Sequence, residues 1–136
     1  MTAMKVSIDR LINALGASWT KDSCFDASKW SPDNPARGQC VASSLVVQDY
    51  LGGDLRRYDV TLPGGSHEKH YCNVLEDGTE VDTTRKQYTF PVTLSIDPVN
   101  LKSYRTVREK RLAEEETRKK YERLRDRVSA YLSMKV

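Results

Sequence analysis

No stretch of this chain approaches the roughly 20 consecutive apolar residues of a bilayer-spanning helix. Asp9 and Arg10 interrupt the apolar run near its start, which excludes a signal-like segment there. A soluble, cytoplasmic protein with no membrane partner is expected. Cysteine is scarce and odd in number: Cys24, Cys40 and Cys72 contain no CxxC pair, which argues against both a disulfide scaffold and a zinc knuckle. A metal site would have to gather Cys24, Cys40, His67, His70 and Cys72, and no two of these have knuckle spacing, so neither metal nor cofactor is expected. Gly64-Gly65 lacks the lysine and the following helix of a phosphate loop. Aromatics number only eleven, and the tyrosines do not alternate with basic residues on a strand, so nucleic-acid stacking is disfavoured.

What is present suits one domain over 1–136, with a core in about 4–95 and a long helix over about 97–134. Charge is uneven: 102–136 carry 12 Lys+Arg and 6 Asp+Glu, leaving the first 101 residues at −3. Those opposite charges interleave at helical spacing, which reads as a solvated helix face rather than a nucleic-acid patch. The same helix offers a surface for association with a second copy.

Val6, Ile8, Leu11, Ile12 and Leu15 fall at three-to-four-residue spacing, predicting an amphipathic helix from Met4 to Leu15 that Gly16 ends. Trp19 to Asp33 lacks periodicity, but Trp19, Phe25 and Trp30 predict a packed loop. Gly38 precedes a helix whose apolar stripe is Val41, Ala42, Leu45, Val46 and Tyr50, with Gly52-Gly53 as its stop. Strands are expected over Leu55–Leu62, Lys69–Leu75 and Thr79–Thr84, and Tyr88–Leu94 is demoted to an edge by Pro91.

Cys40 lies in the first turn of its helix, where unpaired N–H groups favour a thiolate. His70 and Asp82 follow on neighbouring strands, so a nucleophile, a base and an orienting carboxylate occur in order. The hairpin sets a condition on this reading. A two-residue turn at Asp77-Gly78 places Asp82 opposite Asn73 and away from His70. A three-residue loop, Glu76-Asp77-Gly78 with Gly78 left-handed, places Asp82 opposite Cys72 and makes His70 its diagonal neighbour, about 7 to 8 Å away at the backbone. His67, in the Gly65-Ser66-His67 loop, is the rival base. The Cys40 N–H supplies one oxyanion donor, and Gln39, Asn34 or Trp30 could supply the second.

The runs Asn34-Pro35-Ala36-Arg37-Gly38-Gln39-Cys40, Val47-Gln48-Asp49-Tyr50-Leu51-Gly52-Gly53, His70-Tyr71-Cys72-Asn73 and Asp77-Gly78-Thr79-Glu80-Val81-Asp82-Thr83-Thr84-Arg85 resemble those of the bacterial YunG-like proteins. More distantly, the order of Cys40, His70 and Asp82 resembles that of transglutaminase-like and papain-like cysteine enzymes. Two positions depart from those enzymes: Cys72 stands where tryptophan is frequent, and Asn34 stands at the place of the papain-type oxyanion glutamine. The resemblance implies an α+β fold, a papain-like or transglutaminase-like core with the Cys-bearing helix packed on a small antiparallel sheet. It also implies a cysteine-dependent acyl-transfer enzyme acting on an amide-, ester- or peptide-bearing substrate, of peptidase, amidase or deamidase type. The alternative is a non-catalytic binding or adaptor module on the same fold.

Overall fold

Ser7 starts the first helix: its hydroxyl accepts from the Arg10 N–H at 3.2 Å, and α1 runs Ile8–Ser18. The computed structural model describes residues 6–134, so the Met4 and Lys5 end of the expected helix lies outside the described residues. Gly16 does not end α1, which continues until Ser18 Oγ bonds back to the Ala14 carbonyl at 2.6 Å. The loop that follows contains two single helical turns, Lys21–Ser23 and Ala27–Lys29. Trp19 packs into the core and donates its indole N–H to Ser43 Oγ at 2.8 Å, whereas Phe25 is 72% exposed, so only part of the loop is packed as expected.

Helix α2, Cys40–Leu51, is buried on more than the one expected stripe. Its Ser43 and Ser44 are inside as well, because each meets a polar partner: Ser43 takes the Trp19 indole, and the Ser44 carbonyl accepts from Asn73 Nδ2 at 2.8 Å. One side of α2 rests on the sheet and another on the C-terminal helix.

The sheet is antiparallel, ordered β3-β2-β1-β4, with β1 Asp54–Thr61, β2 His67–Val74, β3 Glu80–Val81 and β4 Thr93–Ile96. Asn73 pairs with Val81 and Val74 with Glu80, and the Leu75 N–H bonds the Thr79 carbonyl at 2.8 Å. Glu76-Asp77-Gly78 therefore close the hairpin as three residues, with Gly78 at φ 89°. The third strand is shorter than Thr79–Thr84, because Asp82 leaves the ladder and accepts the Thr84 N–H instead. The edge strand begins after Pro91 rather than spanning it.

The expected single helix over 97–134 is two helices preceded by a turn. Asp97 is still held to β1 through the Arg57 carbonyl, and Pro98 and a left-handed Lys102 prevent helix before Thr106. Thr106 caps α3, Val107–Leu112, by accepting the Glu109 N–H. After a break at Ala113 and Glu114, α4 runs Glu115–Met134. Tyr121, Leu124, Val128 and Leu132 form its buried stripe against α1 and α2, so packing is concentrated in its C-terminal part. Among the described residues no helix is long and apolar enough to cross a membrane. The architecture is α+β, a small four-stranded antiparallel sheet with helices packed on it.

Candidate active site

Gly38 fixes the approach to α2. Its φ is 74°, and a Cβ there would lie 2.4 Å from Cys24 Sγ, so both backbone and space require glycine. Cys40 follows as the first residue of the helix, where helix geometry leaves its N–H without an intrahelical partner.

His70 lies in the middle of the sheet and is fully buried. Its Nε2 is 2.7 Å from Asp82 Oδ2, and since a carboxylate only accepts, the ring N–H donates. The other ring nitrogen, Nδ1, lies 3.3 Å from Gln87 Nε2, and the Cys40 thiol is among the groups that favour the charged ring. Burial opposes the imidazolium, but the bonds to Asp82 and Cys40 outweigh it and raise His70 to about 9. Burial likewise opposes charge on Asp82, and the His70 and Arg85 bonds overcome it, holding the carboxyl below its usual range. Arg85 Nε reaches the same Oδ2 at 2.8 Å.

A second polar group braces this arrangement. Arg37 and Glu68 form a two-pronged ion pair at 2.7 and 2.9 Å, and the Tyr88 phenol donates to Glu68 at 2.7 Å. The Tyr88 ring stands edge-on to His70 with centroids 5.5 Å apart. Gln87 joins the two groups, because its Oε1 accepts from Arg37 and from the Gly38 N–H while its Nε2 meets His70. Sequence reasoning missed Gln87: it sits in an aperiodic segment and no spacing relates it to Cys40 or His70.

The structure thus brings Cys40, His70 and Asp82 together, and it places the other candidates elsewhere. His67 begins β2, exposed, with Nδ1 2.9 Å from Asp59 Oδ2. Gln39 is buried with its amide donating to the Thr20 carbonyl and accepting from Ser23. Asn34 Nδ2 donates to the Gln87 carbonyl at 2.9 Å, and the Trp30 indole to the Pro35 carbonyl at 3.2 Å. All three side chains are engaged in holding the loop before α2. Cys72 is buried and its thiol is pushed up to about 12, first by burial and then by the charges of Glu80 and Asp82. Among the described residues no three His, Cys, Asp or Glu side chains gather as metal ligands.

These contacts define an α+β protein in which a buried histidine joins a helix-start cysteine to a carboxylate. The family model described as YunG protein matches residues 7–133, and the chain belongs to that family. It is similar to the "Uncharacterized protein YunG" of Bacillus subtilis (strain 168), at 32% identity over 78 residues, which is 57% of this chain and 60% of that protein. No solved structure matches the chain.

Proposed function

We propose that the chain is a cysteine-dependent acyl-transfer enzyme on a papain-like or transglutaminase-like core, acting on an amide or ester. The observation that supports the reading is the buried His70 held through Nε2 by Asp82 at 2.7 Å, on a strand packed against the helix that Cys40 begins. A ring raised to about 9 holds a proton at neutral pH and can donate it as a general acid.

In the proposed reaction the Cys40 sulfur attacks the carbonyl carbon, forming a C–S bond and pushing electrons onto oxygen. The Cys40 N–H stabilises that oxyanion. Collapse of the intermediate breaks the C–N or C–O bond while His70 gives its proton to the leaving group, which leaves a thioester. Water, deprotonated by His70, then attacks the thioester, releases the acid and returns the proton to the ring; an amine in place of water gives transfer. Gln87 is the positioning residue for the neutral ring that forms once the proton is given up, when Nδ1 can accept from the Gln87 Nε2–H.

The competing reading, a binding module, is favoured by the engagement of Gln39, Asn34 and Trp30, none of which offers a free oxyanion donor in this state. Iodoacetamide separates the two. At pH 6, Cys40, followed by peptide mass mapping, is expected to be alkylated at least about tenfold faster than in the His70→Ala variant. Equal rates in the two proteins would favour the binding module.

A further inference from the structure

A cavity of about 340 Å³ opens beside Cys40, within the size range of small-molecule sites, and most of its surface is apolar. Val41 and Tyr71 line it, and Phe25 stands at its edge, 72% exposed. An aromatic ring left in water forgoes the stabilisation that burial would give it. The chain nevertheless fixes Phe25 in that place. Its N–H donates to the Gly38 carbonyl at 2.8 Å, its carbonyl accepts from Lys120 at 2.7 Å, and the Lys120 ammonium lies 5.5 Å from the ring centre. The charges around the cavity largely neutralise one another: Arg37 pairs with Glu68, Arg57 with Asp97, Lys69 with Asp59 and Asp97, and Arg111 with Glu114. Lys29 is the exception: it is exposed and, among the described residues, has no ion pair, though its charge acts on Asp26 and Glu68.

Building on the acyl-transfer reading, we infer that this cavity takes an uncharged, apolar side group of the amide or ester substrate, with Phe25 as a specificity-determining residue that packs on it. A charged group entering here would be desolvated beside cations that already have carboxylate partners. The ammonium of Lys29, being exposed, offers a carboxylate only a screened attraction. An apolar group gives up no polar contact on entry, and it covers the Phe25 ring. The Cys40 thiol lines the same cavity, so a side group held on this wall stays near it.

N-Acetylphenylalaninamide and N-acetylglycinamide, which differ by one benzyl group, serve as probes, read by their protection of Cys40 from iodoacetamide. The first is expected to reach half-protection at a concentration at least about fivefold below the second. Each comparison is a ratio within one protein, so any change in the thiol's own rate cancels. In Phe25→Ser the ratio should fall at least about threefold, and Phe25→Leu should restore part of it. N-Acetylphenylalanine, which adds a carboxylate, should protect no better than its amide. No protection by either amide, equal protection by both, or a ratio unchanged in Phe25→Ser would overturn the assignment. So would a ratio no higher in Phe25→Leu than in Phe25→Ser, or a clear preference for the carboxylate, which would point to Lys29 instead. Binding needs no turnover, so the benzyl preference should persist in His70→Ala even though alkylation there is slow. Loss of the His70 effect and loss of the benzyl preference are thus separate outcomes, the first bearing on the nucleophile and the second on the pocket.

Discussion

His70 is buried, and desolvation alone would drive the proton off its ring; the bonds to Asp82 and Cys40 reverse that and raise it to about 9 from an ordinary 6.5. In the unfolded chain the ring loses its proton near the ordinary value, while in the folded protein it keeps it. The stabilisation is therefore complete below about pH 6.5 and disappears as pH rises through about 9. Urea unfolding of wild type against His70→Gln should show the difference between them shrinking over that window by an amount on the order of 3 kcal/mol. A constant difference from pH 6 to 9.5 would mean that the ring is neutral in the fold. Burial raises the thiols of both Cys24 and Cys72. The nearness of Asp82 to His70 was legible in the sequence because the hairpin length fixes where the residue just past β3 goes. That of Gln87 was not, since its position depends on how the chain after Asp82 folds back over the histidine.

At the scale of elements, the β2–β3 hairpin was the most legible part of the fold, because loop length and strand alternation determine which side chains share a face. Glu76-Asp77-Gly78 closing as three residues pairs Val81 with Asn73, so that Asp82, just past the end of β3, comes within 2.7 Å of His70. Gly78, at φ 89° with open space around its missing Cβ, isolates the backbone contribution. Gly78→Val should lower stability by about 1 to 2 kcal/mol and Gly78→Asn by clearly less, because asparagine tolerates the left-handed region. Equal losses, measured by chemical denaturation, would show that the turn does not rely on that conformation. The segment 97–106 was not legible, because a helical charge pattern downstream masks a stretch whose Asp97 is held to β1 and whose start is set by the Thr106 cap. The buried serines of α2 were hidden for a related reason: their burial depends on Trp19 and Asn73, partners distant in sequence.

Across the whole molecule, the basic C-terminal part compensates acidic and carbonyl groups of the same chain. Arg127 pairs with Asp22, Lys120 donates to the Phe25 carbonyl, and Arg108 bridges Asp49 and the Tyr121 phenol. Such contacts tie α4 to the loop before α2 and to α2 itself, so the helix whose charges read as a solvated face helps hold the cysteine's surroundings. The central proposal is that Cys40, held among these packed elements, accepts an acyl group. Incubation with p-nitrophenyl acetate, followed by peptide mass mapping at short times, tests it most directly. The account predicts acetyl on Cys40 that forms and then turns over in wild type, is absent at that position in Cys40→Ala, and forms at least about tenfold more slowly in His70→Ala. No acetyl on Cys40, or acetylation indifferent to His70, would contradict it.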